Sequence, residues 1–247
     1  MLSATVEAPP VVEALADLLF PRDCLLCGES LLLNTAKAGG VQVPLCPQCL
    51  ASLHFPKGPR CRSCSQPLIS ELDVCMRCRG RSYPFARNLS LFSYRGEARE
   101  LIHQYKFRNE RSLGALFACL LSVPLLGVFS GLPVVPAPAR PAHVRKRGWD
   151  PVNVVAGLLR RRYGIKLLPV LQRMRTAPQK SLDFDHRSTN LRGKILFRER
   201  GAPRGRLPPR VILLDDVFTT GATASECTRV LTAAGVTMVE VLTIAVD

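Results

Sequence analysis

Two acidic residues followed at once by a run of small hydroxylated ones carry the chain's clearest chemistry, in Val211-Ile-Leu-Leu-Asp-Asp-Val-Phe-Thr-Thr-Gly-Ala-Thr223. The four apolar residues read as a buried parallel strand, 211 to 214, and Asp215 and Asp216 fall at its carboxyl end, the edge where open α/β sheets bind ligands. Thr219, Thr220, Gly221, Ala222 and Thr223 then allow a tight turn with exposed N–H groups, and a helix over 223 to 234 follows. A helix start of this kind suits an anion, since backbone donors and the positive end of the helix dipole point the same way. Carboxylates just upstream suit sugar hydroxyls, so the expected ligand is a phosphate joined to a ribose. The plainer reading is a strand, turn and helix whose polar residues only cap and solvate. Neither G-x-x-x-x-G-K-[ST] nor G-x-G-x-x-G occurs, which excludes the common nucleotide loops.

A second chemistry lies in the cysteines. Eight of the ten fall in four C-x-x-C pairs: Cys24 with Cys27, Cys46 with Cys49, Cys61 with Cys64, and Cys75 with Cys78. Two thiolates at that spacing share one knuckle, and two knuckles close a tetrahedral site, so two structural Zn2+ ions are expected. Redox pairs, disulfides and an iron–sulfur cluster are the alternatives; a catalytic zinc would need an open position that four thiolates do not leave. Cys119 and Cys227 read as core residues.

Charge is concentrated. Of the formal net charge of +15, residues 140 to 210 hold all, with 19 Lys and Arg against 4 Asp and Glu. That segment reads as a functional surface. It opens with Val134-Val-Pro-Ala-Pro-Ala-Arg140, a strand entering a Pro-stiffened loop, and continues through Arg145-Lys-Arg-Gly148. Guanidiniums beyond a rigid loop, here Pro136, Ala137, Pro138, Ala139 and Arg140 with Arg145 and Arg147, would give bidentate contacts to a pyrophosphate; solvated surface charge is the alternative. Trp149 could stack on a base or pack in the core. Arg173-Met-Arg-Thr-Ala-Pro-Gln-Lys-Ser-Leu182, with Arg187 and Asn190, has few apolar anchors. It is expected to be a lid or nucleic-acid contact using Arg173, Arg175, Gln179, Arg187 and Asn190, or else a plain surface excursion.

The elements that position these residues alternate. A lead-in helix is expected at 11 to 20, within residues 1–22, and a cysteine module of short strands and knuckles at 23–83. An α/β unit follows at 84–247, with strand 89 to 94, helix 96 to 107, helix 153 to 163, strand 195 to 197 and strand 237 to 245. Strands alternating with helices mean a mostly parallel sheet. Residues 112 to 139 carry no charge, but Pro124, Gly127, Pro133, Pro136 and Pro138 divide them. They read as a helix near 112 to 122, a turn and a buried strand at 132 to 136, with no membrane span. Acidic residues near the N-terminus argue against a secretory signal, and paired thiols fit a cytoplasmic location.

The Asp215–Thr223 run closely resembles the phosphoribosyl-pyrophosphate signature of type I phosphoribosyltransferases. The whole layout is similar to that of the ComF family: paired knuckles, Val-Pro-Ala-Pro, Arg-Lys-Arg-Gly, Arg-x-Arg-Thr-x-x-Gln-x-x-Leu, Arg187 with Asn190, and Asp-Asp-Val-x-Thr-Thr-Gly-Ala-Thr. The resemblance implies a type I phosphoribosyltransferase-like, mostly parallel sheet flanked by helices, with a small N-terminal double zinc ribbon, and a link to single-stranded DNA uptake in natural competence. It implies that Asp215 and Asp216 hold the ribose, Thr219 to Thr223 the 5-phosphate and Pro136 to Arg140 the pyrophosphate, with Mg2+ accompanying phosphoribosyl pyrophosphate. Family members often read Arg-Gly-Phe-Asn-Gln where this chain has Arg147-Gly-Trp-Asp-Pro151. Two functions follow: a phosphoribosyltransferase of unnamed acceptor, or a non-catalytic protein that handles single-stranded DNA with the same fold. No residue pattern names a general base, because the four histidines are scattered.

Overall fold

A computed structural model describes residues 23–31, 35–38, 41–53, 55–69, 72–174, 192–203 and 206–247. The lead-in helix, Arg175, Gln179, Arg187, Asn190, His54 and His186 lie outside the described residues.

Four parallel strands form the central sheet. They are β3 (Asn88–Ser93), β8 (Met238–Val246), β7 (Arg210–Phe218) and β4 (Val134–Pro136), in that spatial order. The interior pair, β7 and β8, is Val/Ile/Leu-rich and almost wholly buried, as strands covered on both faces must be. Helices α2 (Gly96–Phe107), α3 (Leu113–Leu126) and α5 (Pro151–Tyr163) pack one core; α6 (Ala222–Ala233) and an antiparallel pair, β5 (Leu171–Arg173) with β6 (Ile195–Phe197), pack the other. The uncharged stretch divides as expected into α3, a turn and β4. No helix among the described residues is long and apolar enough to cross a membrane.

Four elements differ from the sequence reading. Arg173, expected to open a lid, lies instead in strand β5, paired with Ile195 of β6. Residues Pro141–Arg147 form a short helix, α4, rather than a loop; Pro141 presets its first turn, and Gly148, at φ 81°, ends it. Strand β7 does not stop at Leu214. It continues to Phe218 because β8 pairs with it as far as Phe218↔Val246, whereas β4 ends opposite Leu214. The cysteine module contains a helical turn, α1 (Pro47–Ser52), capped by the Cys46 sulfur, besides a two-residue ladder of β1 (Lys37–Ala38) with β2 (Val41–Gln42).

The cysteine module is not a detached bead. Cys24 and Cys46 belong to the core that contains α2, α3 and α5, and Cys61, Cys64 and Cys78 to the core that contains α6. Its second half also covers β3, the edge strand of the sheet. Arg60 Nη1 donates to the Ser90 carbonyl at 2.8 Å, Asn88 N–H to the Arg62 carbonyl at 2.9 Å, and Ser90 N–H to Ser65 Oγ at 3.0 Å. An uncovered edge would be a template for aggregation.

Candidate ligand site and metal centres

The ends of β4 and β7 lie side by side, so the loop that follows one stands beside the carboxylates carried by the other. Pro136 pairs with Leu214, and Ala137 N–H continues the contact with a 2.8 Å bond to the Leu214 carbonyl. Beyond that point, among the described residues, β7 has no strand neighbour on the β4 side. There the carboxylates accept from the following backbone, Asp215 Oδ1 from Asp216 N–H at 2.9 Å and Asp216 Oδ1 from Val217 N–H at 2.5 Å. Successive strand residues point to opposite faces, and the two aspartates meet different partners.

Asp216 meets α2. Lys106 Nζ stands 2.6 Å from Asp216 Oδ2, with side-chain exposures of 16% and 24%. This pair is too enclosed to count as an ordinary surface ion pair. Helix α2 begins beside the end of β3, yet its last turn reaches the end of β7, two strands away. Its length of ~18 Å therefore lies across the carboxyl edge of the sheet. Tyr105 fastens it there, donating to the Pro151 carbonyl at 2.8 Å. Sequence reasoning missed Lys106, since a lysine in a helix's last turn reads as a partner of the helix dipole.

Asp215 lies near Arg173 and the buried Cys227. Its carboxyl is pushed up to about 7, by burial first and then by the charge of Asp216, against the pull of Asp216 N–H, Lys106 and Arg173. A carboxyl raised in the folded state binds a proton that the unfolded chain, with a carboxylate value of ~3.9, has already released. Folded stability therefore falls as pH rises from ~4 toward about 7. Asp215→Asn removes that loss. Its melting temperature relative to wild type is expected to grow by several degrees between about pH 5 and about pH 8. Calorimetric scans giving a difference flat in pH would refute a buried, proton-holding Asp215.

Asp150 ties the rest of the rim together. It caps α5 through bonds from Val152 N–H at 2.9 Å and Asn153 N–H at 3.2 Å, and Ala139 N–H donates to its other oxygen at 3.4 Å. The departure from Arg-Gly-Phe-Asn-Gln thus gains a physical role. Asp150 is a strong cap, Pro151 a preset first position, and the pair anchors the loop after β4. Trp149 belongs to the core: it is 7% exposed, its indole N–H meets Asn109 Oδ1 at 2.6 Å, and its ring packs on Tyr105. His143 emerges as a rim residue that the sequence left unpaired. Partial burial, then Arg140, Arg147, Arg173 and Lys106, hold its imidazole below the usual range. Arg145 is exposed in the last turn of α4.

The Thr219–Thr223 turn completes the edge. Gly221 precedes α6 at φ 77°, Thr220 Oγ1 accepts from Ala222 N–H at 3.2 Å, and the first turn of α6 holds no acidic residue. The donors of that turn have no partner within the helix, and no carboxylate there competes for an anion.

At the other end of the chain the cysteines form two groups of four, Cys24, Cys27, Cys46 and Cys49, and Cys61, Cys64, Cys75 and Cys78. Within each group the sulfurs lie within 4.8 Å of one another. The Cys27–Cys46 and Cys64–Cys75 sulfurs stand 3.9 and 3.6 Å apart. Disulfide sulfurs lie ~2.05 Å apart; thiolates ~2.3 Å from one tetrahedral ion lie ~3.8 Å apart. Backbone donors stabilise thiolates here, with Cys46 N–H on Cys24 Sγ at 3.4 Å and Cys75 N–H on Cys61 Sγ at 3.3 Å. Burial raises the Cys24 and Cys61 thiols, but backbone N–H groups outweigh it and bring each down to about 7. Both tetrads fit structural zinc. Cys119 and Cys227 are buried, as expected.

Residues 15–79 match the family model of the double zinc ribbon domain. The chain is 28% identical to the DNA utilization protein YhgH of Salmonella typhi, over 91% of this chain and 96% of that protein. It is 24% identical to competence protein ComFC of Streptococcus pneumoniae, over 86% and 94%. Competence protein F of Haemophilus influenzae is 25% identical, over 79% and 94%. Likeness to these proteins along nearly their whole lengths, with a double zinc ribbon ahead of a mostly parallel sheet, supports a protein of the ComF family.

Proposed function

We propose that the carboxyl edge of the sheet binds a phosphoribosyl ligand, phosphoribosyl pyrophosphate with Mg2+, and that the protein serves DNA uptake or a related step of nucleic-acid metabolism in the cytoplasm. One observation carries the ligand: the pairing of β4 with β7 sets three complementary features side by side. Asp215 and Asp216 suit ribose hydroxyls, the Thr219, Thr220, Gly221, Ala222 and Thr223 turn suits the 5-phosphate, and Pro136–Arg140 with Arg173 suits the pyrophosphate. On this reading residues 23–83 form the zinc unit and 84–247 the ligand-binding domain. The role in DNA uptake rests on the relatives, whose names concern DNA utilization and competence.

Phosphoribosyl transfer asks a protein mainly to position the reactants and to stabilise the departing pyrophosphate. Arg140, Arg147, Arg173 and Lys106 supply positive charge where pyrophosphate would leave, and Mg2+ would add its own charge to the same oxygens. Isothermal calorimetry with phosphoribosyl pyrophosphate and Mg2+ tests the reading. Saturable binding at one site per chain is expected, and no heat at millimolar ligand would overturn it.

A second reading, single-stranded DNA on the same surface together with other competence proteins, gains support from Phe107. The residue is 66% exposed next to Lys106, with Arg147 5.8 Å from its ring centroid and His103 at 5.0 Å. The basic segment is poor in aromatics, and α2 provides a stacking face from outside it. Base stacking contributes about 1–3 kcal/mol per base, so Phe107→Ala should weaken single-stranded DNA binding about 5- to 150-fold with the salt slope unchanged. Titration of a labelled oligonucleotide at several salt concentrations measures both; unaltered affinity removes Phe107, and a flat salt response removes the basic surface.

A further inference from the structure

The second cysteine tetrad reaches the β7–α6 turn directly. Arg77, between Cys75 and Cys78, donates from Nη1 to the Asp247 carbonyl at 2.8 Å and from Nη2 to the Thr219 carbonyl at 3.3 Å. Tyr83, a few residues beyond Cys78, donates from its hydroxyl to the Thr220 carbonyl at 3.5 Å. Its ring stacks on Phe85, with centroids 5.0 Å apart, and both rings meet Phe218 edge-on, the last residue of β7. Gly221 is required by the same packing. A Cβ there would come within 2.7 Å of Tyr83 Cε1 and 2.9 Å of Phe218 Cζ.

These contacts have a directional consequence. In a planar trans peptide the C=O of one residue and the N–H of the next point opposite ways. Two successive carbonyls, Thr219 and Thr220, face the zinc unit, so the N–H groups of Thr220 and Gly221 face away from it, into the turn. Concave runs of N–H groups of this kind bind anions. Among the described residues no hydrogen bond joins the loops of the first tetrad to this turn; that tetrad is seated against the opposite core, where Phe55 packs on Phe92 at 4.9 Å.

We propose that Arg77 and Tyr83 are positioning residues for the anion-binding turn, and that the second zinc site, through them, sets the turn's affinity for phosphate while the first does not. The inference rests on the phosphoribosyl reading for its ligand but not for its geometry. Its test is therefore amide hydrogen exchange at Ala222 and Ser225, whose N–H groups are bonded to Thr220 Oγ1 and the Gly221 carbonyl within the turn, in the zinc-loaded full chain, followed by calorimetry with phosphoribosyl pyrophosphate. The double variant Arg77→Ala with Tyr83→Phe removes both donors and keeps the ring. Two zinc ions per chain should remain, exchange at the two amides should rise about tenfold, and phosphate affinity should fall by a similar factor, as expected for two lost bonds to carbonyls. Phe55→Leu, on the other tetrad's seat, should change neither. Arg77→Lys with Tyr83 intact should restore most of the protection. Wild-type exchange in the double variant, or an equal rise in Phe55→Leu, overturns the coupling. Altered exchange with no ligand bound by wild type sustains the coupling and overturns the phosphoribosyl reading instead.

Discussion

Replacing Asp215 and Asp216 together by alanine is expected to reduce affinity for phosphoribosyl pyrophosphate about 100-fold or more while leaving affinity for inorganic pyrophosphate undiminished. The first half follows from the chemistry of the lost groups. Hydrogen bonds to a charged partner are worth about 1.5–3 kcal/mol each, and two carboxylates facing ribose hydroxyls supply at least two such bonds. The second half follows from what stays behind. Lys106 Nζ is 2.6 Å from Asp216, and Arg173 lies near Asp215. Without the carboxylates these cations face the pocket unneutralised, and a pyrophosphate would meet a more positive site. Opposite responses of two ligands that share the pyrophosphate group separate ribose recognition from general charge. Calorimetry with each ligand on the folded double variant decides the matter: undiminished affinity for phosphoribosyl pyrophosphate sinks the assignment of the acidic pair. Parallel loss of both ligands points to a collapsed edge instead, and Asp216→Ala alone then tests whether release of Lys106 is the cause.

The site was legible in the sequence to the extent that it is local. The run from Val211 to Thr223 shows a strand, two carboxylates and a turn because those residues are contiguous, and helix 96–107 and strand 195–197 were read with their observed ends. Contacts between distant segments were not legible. Nothing near Lys106 announces Asp216, and nothing near Arg77 or Tyr83 announces Thr219 or Thr220. The end of β7 was misplaced for a related reason. Two aspartates read as a strand terminus, yet a neighbour that continues to Val246 keeps the backbone extended through Phe218. Helix α4 escaped notice because seven residues bounded by Pro141 and Gly148 look like a loop until Val144 accepts the Gly148 N–H at 2.7 Å. The single tryptophan was ambiguous in sequence, since base stacking and core packing ask for the same ring. Asn109, at φ 62°, decides it by offering the indole N–H an acceptor while the ring itself stays in the core.

Removal of zinc is expected to unfold more than the cysteine module. Structural zinc contributes an apparent ~10–16 kcal/mol to small zinc-binding folds at neutral pH, comparable with or above the ~5–15 kcal/mol that holds a whole domain. The short knuckles have no core of their own. Their cysteines are built into the cores on both faces of the sheet, Cys24 and Cys46 on one and Cys61, Cys64 and Cys78 on the other. Loss of the second ion should also free Arg60, Ser65 and the Arg62 carbonyl from β3, leaving that edge unpaired. Metal analysis should return two zinc ions per chain, and far fewer would refute the double ribbon. A strong chelator at neutral pH should abolish the cooperative melt followed by circular dichroism and bring on aggregation, while added zinc protects. Acid should do the same without a chelator, because zinc binds thiolates and protons compete for them. Cys24 and Cys61, held at about 7, each offer a thiolate near neutral pH, and protonation withdraws it as pH falls. Zinc-dependent stability should thus rise with pH where the Asp215 contribution falls. Melting in Asp215→Asn, followed with saturating zinc and then with chelator, separates the two slopes. Equal melts with and without zinc would return the knuckles to an ornament on a self-sufficient domain.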